Sequence, residues 1–273
     1  MAPDKGMLEV IDKGSCSHAH PVPLLFVHGG WHAAWCWDHF LDFFAAAGYR
    51  AVALSLRGHG ASPITKRFHS CSIADYVDDV RATADDLGGQ PVLIGHSLGG
   101  FVVQRYLENR RAPAAVMVAS VPPQGVFGLA MRVWRHHPLI SFRSLVTGNL
   151  AGFIGTPALA REHLFSANTA EDIVESCAAR VQSESLRASV VDPLFRRVRS
   201  SRVTTPVLVL GARDDGLVTN TDVHATARAY QTEAEFFPDM GHNMMVEPGW
   251  THVAERIHTW LETSDLVSHS QRS

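Results

Sequence analysis

Five short apolar runs constrain this chain more than any other feature: Leu24–Val27, Ala51–Leu56, Val92–Ile94, Ala114–Ala119 and Val207–Leu210. Each is bounded by Gly or Pro, and none has the apolar–polar alternation of a strand with one wet face. Such runs read as strands buried on both faces, the kind that make a parallel sheet covered by helices. The intervening stretches supply those helices. Ser72–Leu87 opens with Ser72 and Asp75 at capping-box spacing and carries Ile73, Tyr76, Val77, Val80 and Leu87 as its apolar face. Leu98–Leu107 follows the third run, and Trp250–Leu261 sets Val253, Ile257, Trp260 and Leu261 on one face at helical spacing. Strand and helix in repetition predict an α/β fold with a doubly wound, mostly parallel sheet.

The stretch from Gln124 to Val203 breaks that rhythm. It offers no buried strand, only helix-like pieces punctuated by Pro138, Gly148, Gly152, Gly155, Pro157 and Pro193. Ten Arg, no Lys and six acids give it a charge of +4 in a chain whose total is −3. An insertion of this size between core strands predicts a helical cap, with 1–123 and 204–273 forming one core and 124–203 the cap. Its Arg196-Arg197-Val198-Arg199 cluster reads as a solvated junction back to the core. The polar tail after Glu262 is expected to fray.

Composition narrows the function. A 46% hydrophobic content excludes disorder, and the near-balanced charge excludes an electrostatic nucleic-acid binder. Cys16, Cys36, Cys71 and Cys177 form no C-x-x-C pair, so they predict neither a zinc site nor a redox dithiol. The opening residues lack a signal-peptide apolar stretch, and no window reaches the ~18 apolar residues of a membrane helix. The expectation is a cytoplasmic protein with no membrane span. The sequence carries no signal for oligomeric state.

The sharpest chemical signal is Gly95-His96-Ser97-Leu98-Gly99-Gly100, a G-x-S-x-G between a strand and a helix. In that context the glycines give room for a tight turn that exposes the Ser97 hydroxyl, and the helix N-terminus faces any anion formed beside it. Serine needs a base oriented by an acid to become a nucleophile. His242, after the strand-like Ala234–Phe237, fits the base, whereas His252 and His258 fall on the terminal helix. The acid is expected just past Val207–Leu210, where Asp214 and Asp215 stand side by side. A backbone N–H from His28-Gly29-Gly30-Trp31, with that of Leu98, would complete an oxyanion hole.

With these motifs together, the chain resembles the α/β-hydrolase superfamily over nearly its whole length. The matching segments are Leu25–Gly30, Arg57-Gly58-His59-Gly60-Ala61-Ser62, Gly95–Gly100, Gly211–Val218 and Gly241-His242. The opening His28-Gly29-Gly30-Trp31-His32-Ala33-Ala34-Trp35 is similar to the methylesterase and hydroxynitrile-lyase branch and its bacterial esterase-like relatives. The resemblance implies that Asp215, followed by Gly216-Leu217-Val218, is the acid, with Asp214 its rival. It also implies that the oxyanion amides are those of Gly30 and Leu98. Ser55 departs from the pattern, because relatives often carry Asp there, and its presence implies the loss of one loop anchor.

A serine at the turn argues against the aspartate chemistry of haloalkane dehalogenases and epoxide hydrolases. It suits acyl transfer, with no cofactor and no metal implied, on a small-molecule substrate. Phe127, Leu129, Met131, Trp134, Leu139, Phe142, Leu145, Phe153 and Phe165 make the cap apolar, with Met244 and Met245 after the base. Most are expected to pack the cap onto the sheet and some to line a pocket, which predicts a moderately apolar carboxylic ester. Two other readings stand beside it: a carbon–carbon hydrolase or lyase using the same triad, and a non-enzymatic ligand receptor.

Overall fold

The computed structural model describes residues 7–64 and 67–264. The tail predicted to fray begins inside the last helix, Trp250–Thr263, and its remainder, 265–273, lies outside the described residues, as do residues 1–6 of the leader reading. Seven strands form one sheet: β1 (Val10–Lys13), β2 (Leu24–Val27), β3 (Ala51–Leu54), β4 (Val92–His96), β5 (Ala115–Val118), β6 (Val207–Ala212) and β7 (Ala234–Phe237). Their order is β1-β3-β2-β4-β5-β6-β7, and only β1 runs antiparallel, pairing Val10 with Leu54. This is the alpha/beta hydrolase type of sheet, flanked by helices.

Alternate residues of the central strands feed two cores. Leu25, Val27, Leu93 and Met117 pack against α2 (Ile73–Asp86) and α3 (Ser97–Leu107) through Tyr76, Val80, Phe101 and Tyr106. Leu24, Phe26, Ile94 and Val116 face α1 (Asp38–Ala46) and α10 (Trp250–Thr263) through Phe40, Phe44, Val253 and Ile257. Fully burying a side chain such as Phe26 or Phe40 contributes roughly 2–3 kcal/mol, so both faces must be covered. The predicted capping box is present: Ser72 and Asp75 bond reciprocally at the start of α2.

Between β5 and β6 the chain runs through α4 (Phe127–His136), α5 (Pro138–Thr147), α6 (Pro157–Leu164), α7 (Glu171–Arg180) and the short α8 (Asp192–Phe195), with no strand among them. Leu164, Phe165, Val174 and Cys177 share a small core with Leu217. The expectation that the apolar residues here pack inward is corrected for α4 and α5, where Phe127, Met131, Trp134, Leu139, Phe142 and Leu145 are exposed. After β6 the chain continues into α9 (Asn220–Ala229). Among the described residues no helix is long and apolar enough to cross a membrane.

Candidate active site

Glycines shape the turn from β4 into α3. A side chain at Gly95 would lie 2.6 Å from Gly100 Cα, one at Gly100 would strike Ser120, and one at Gly99 would strike the carbonyls of Val27 and His28. Ser97 stands at the apex with φ = +51°, a left-handed conformation that L residues rarely adopt. Its carbonyl accepts the Val121 N–H at 3.0 Å, which ties the apex to the chain just past β5.

Ser97 Oγ lies 2.8 Å from His242 Nε2. His242 Nδ1 in turn lies 2.8 and 3.0 Å from Asp215 Oδ2 and Oδ1. Asp215 Oδ1 also accepts the Leu217 and Val218 N–H groups, each at 2.8 Å. A carboxylate at Nδ1 holds the proton there and leaves Nε2 free to accept from the serine hydroxyl. The side chains of His242 and Asp215 are 2% and 1% exposed, so this chain of contacts is shielded from water. Asp214 is exposed, and its backbone N–H bonds to Met240 O. His258 sits on α10 beside Tyr49 and Glu262. Of the late histidines, His242 is the one brought to Ser97.

The His28–Trp31 loop lies directly against the turn. A side chain at Gly29 would come within 2.8 Å of Ser97 Cβ and 2.7 Å of His96 Nδ1. Leu98 occupies the first turn of α3, where N–H groups have no partner within the helix. Two histidines fix the loop's carbonyls: His28 Nδ1 donates to Gly29 O at 2.7 Å and His32 Nδ1 to Gly30 O at 2.8 Å. His28 Nε2 accepts the Leu56 N–H at 3.0 Å, and His32 Nε2 stands 3.2 Å from Asn243 Nδ2. A ring that donates at one nitrogen and accepts at the other is neutral. Burial, above all, lowers the pKa of His28, His32 and His96, that of His32 to about 4.

Ser55 corrects an expectation. Its Oγ accepts the Ala34 N–H at 2.9 Å and donates to Glu9 Oε2 at 2.5 Å, so serine backed by Glu9 still anchors the loop after β2. Two other carboxylates were not foreseen. Glu247 is buried and accepts from Gly241 N, Ser166 N, Ser166 Oγ and Thr169 Oγ1. Glu184 is buried and accepts from Trp31 N, Tyr76 Oη and Ser185 N, with His59 Nε2 at 3.2 Å. Neither belongs to a motif, and the available signal was the cost of burying a lone charge within an apolar stretch such as Met244-Met245-Val246-Glu247.

Glu162 and His163, whose backbone packs against Gly216 beside Asp215, bring with His137 three metal-type donor atoms within 4.8 Å of one another, and His137 already bonds Glu162 at 2.8 Å. A surface groove of about 780 Å³ opens beside β1, lined by Leu8, Val52, Asp79 and others but by none of the residues around Ser97.

The sequence profile of the alpha/beta hydrolase family matches residues 24–252. The chain belongs to that family. A non-heme chloroperoxidase of Streptomyces lividans is 37% identical over 143 residues, 48% of this chain and 49% of that protein. A bifunctional esterase/perhydrolase of Acinetobacter calcoaceticus is 39% identical over 107 residues, 37% of this chain and 38% of that protein. The chain thus spans about half or less of the length of these curated relatives. A solved thermophilic esterase from Thermogutta terrifontis shares the alpha/beta hydrolase fold at a TM-score of 0.72 and 22% identity, covering 94% of this chain and 93% of that one.

Proposed function

We propose that this alpha/beta hydrolase is a serine esterase that cleaves carboxylic esters of moderately apolar small molecules through an acyl-enzyme. The observation that carries the reading is the unbroken contact from Ser97 Oγ through His242 to Asp215, at 2.8 Å for each link. His242 removes the Ser97 proton as Oγ attacks the ester carbonyl. The N–H groups of Gly30 and Leu98 receive the oxyanion, and the imidazolium, held by Asp215, protonates the departing alcohol. Water, deprotonated by His242, then releases the acid and restores Ser97.

Residues 124–203 act in this reading as a cap. Leu164 O accepts the Asn243 N–H and Trp31 O accepts the Gln182 N–H, each at 2.8 Å, so the segment is tied to the base loop and to the oxyanion loop. Buried Phe165, whose backbone packs against Gly241 beside the base, favours an apolar acyl group.

The test is steady-state hydrolysis of p-nitrophenyl esters from acetate to decanoate. Ser97→Ala should lower kcat by about 10⁴-fold or more and Asp215→Asn by about 10⁴-fold, with Asp214→Asn close to wild type. Turnover that survives Ser97→Ala would overturn the proposal. Activity confined to 1,3-diketones or cyanohydrins would assign the triad to carbon–carbon chemistry. A single-turnover adduct without release would point to a receptor.

A second reading is favoured by the two relatives named chloroperoxidase and esterase/perhydrolase. Hydrogen peroxide would attack the acyl-enzyme in place of water and leave as the peracid. Peroxide-dependent bromide oxidation that needs both a carboxylic acid or ester and Ser97 would support it.

A further inference from the structure

We infer that Glu184, with His59 as its counter-ion, is a positioning residue that clamps the backbone of Trp31 and so sets the orientation of the neighbouring Gly30 amide. The inference rests on the esterase reading, in which that amide receives the oxyanion.

Trp31 has φ = +65°, a conformation that costs a bulky L residue energy and persists only where its surroundings dictate it. The surroundings are one irregular segment following α7. Gln182 N–H donates to Trp31 O at 2.8 Å, and Glu184 Oε2 accepts the Trp31 N–H at 3.3 Å, so both polar groups of this residue are held from the same side. The carboxylate also abuts the preceding residue, because a side chain at Gly30 would meet Glu184 Oε2 at 3.5 Å. Gln182 Oε1 accepts the Gly60 N–H at 2.7 Å, which joins the loop carrying His59 to the same segment.

An unneutralised carboxylate beside Gly30 would oppose an oxyanion forming there. His59 Nε2, 3.2 Å from Oε2 and fully buried, cancels that charge. Burial works against the charge on both side chains, yet their mutual attraction holds His59 above its ordinary pKa and Glu184 below its own. The far oxygen, Oε1, accepts the Ser185 N–H at 2.7 Å, a bond within the same segment that fixes the carboxylate plane. It also takes the Tyr76 hydroxyl at 2.8 Å, a tie to α2 that adds stability. For stability alone, well-packed apolar side chains serve a buried site as well as an ion pair does. What the charged pair adds is an acceptor strong enough to hold one particular backbone N–H.

The experiment compares Glu184→Gln and Tyr76→Phe with the unmodified protein on a p-nitrophenyl ester, measuring kcat, KM, melting temperature and affinity for a boronic acid that forms a tetrahedral adduct on Ser97. Glu184→Gln places an amide –NH₂ against at least one backbone N–H, since each carboxylate oxygen accepts one. Its kcat should fall about 10- to 100-fold with KM changed less than about threefold, and boronate affinity should fall in parallel with kcat. Tyr76→Phe removes a donor from the oxygen facing away from Trp31. It should lower the melting temperature and keep kcat within about threefold. Should Glu184→Gln not fold, His59→Gln carries the test with the same kcat-selective loss, because it strips the carboxylate of its counter-ion. A folded Glu184 variant (or His59 variant in its place) with kcat within about threefold of wild type would overturn the clamp, as would a Tyr76→Phe loss of equal size. Absence of turnover in the unmodified protein would instead bring down the esterase reading itself.

Discussion

Glu184 and Glu247 are both buried, and both tie residues 124–203 to a loop beside Ser97, yet different chemistry satisfies them. Glu247 joins the Gly241–His242 turn to Ser166 and Thr169. Its Oε1 takes two backbone N–H groups and its Oε2 two hydroxyls, with no cation among these partners. Glu184 has a backbone N–H on each oxygen and a histidine beside one of them. The difference is one of reversibility. A hydroxyl donates or accepts as needed, so half of the Glu247 site can adapt to a new partner, whereas a backbone N–H can only donate.

Deleting the carboxylate that lacks a cation should have the largest effect. Glu247→Ala leaves the Gly241 and Ser166 amides without their acceptor, and each unpaired buried donor costs roughly 1–3 kcal/mol. The Ser166 and Thr169 hydroxyls, 3.1 Å apart, can still pair with each other. With the side-chain cavity added, the loss should be about 4 kcal/mol in urea unfolding. A loss below about 1 kcal/mol would mean that water replaces the carboxylate at no cost.

The next effect is on pH dependence. His28, His32 and His96 have lowered folded-state pKa values, so the unfolded chain binds protons that the native state refuses. Their contribution is complete above about 6.5 and is lost as pH falls. For His32, at about 4 when folded, the loss approaches about 3 kcal/mol by pH 4. The Glu184–His59 pair has the opposite alkaline sign. The raised pKa of His59 gives stability that is complete below its unfolded value and fades as pH rises through its folded one. On the acid side Glu184, held low, gives stability present above its unfolded value and lost as pH falls through its folded one. Unfolding measured from pH 4 to 9 should therefore show an acid arm in every variant. The alkaline fade should vanish in Glu184→Gln and persist in Glu247→Gln. Identical alkaline arms would show that the His59 charge is not linked to folding.

The two isosteric substitutions should then separate at neutral pH. Glu247→Gln can turn its –NH₂ toward the Ser166 and Thr169 hydroxyls, which reverse to accept it, at a cost of about 1 kcal/mol. Glu184→Gln faces a backbone N–H whichever way it turns, and should cost about 3 kcal/mol. Equal losses would refute the reversibility argument.

These carboxylates also mark where the sequence stopped being readable. The central strands were legible because burial on both faces leaves uninterrupted apolar runs, and Ser97 and His242 stood out because each follows a strand in a fixed order. That order left Asp214 and Asp215 open, and only the family resemblance favoured Asp215. β1, with Val10-Ile11-Asp12-Lys13 half exposed at the sheet edge, has no such run to declare it. The run ending at Leu56 overshot β3 because the chain leaves its neighbour β2 at Leu54, and Ser55 turns to Glu9 and Ala34. Glu184 meets Trp31 across 153 positions and Tyr76 across 108, and no local pattern encodes contacts at that range. Composition counted the apolar residues of the helical segment correctly but could not say which face they occupy.

That last ambiguity yields the smallest expected effect. Residues 124–203 bind the core through their inner side, where Leu164 is fully buried, while Leu139 on α5 is 83% exposed. Leu164→Ala should cost about 2–4 kcal/mol, the ordinary price of a core cavity. Leu139→Ser removes apolar surface that already faces water, so its stability should stay within about 0.5 kcal/mol of wild type. The comparison asks whether the outer face of this segment is bare in solution. If Leu139→Ser instead costs more than about 1.5 kcal/mol, and the cost grows with protein concentration, the side chain is covered by a second copy of the chain. In that case the Glu184 and Glu247 ties would hold the core to a segment whose outer face is an interface rather than bare surface.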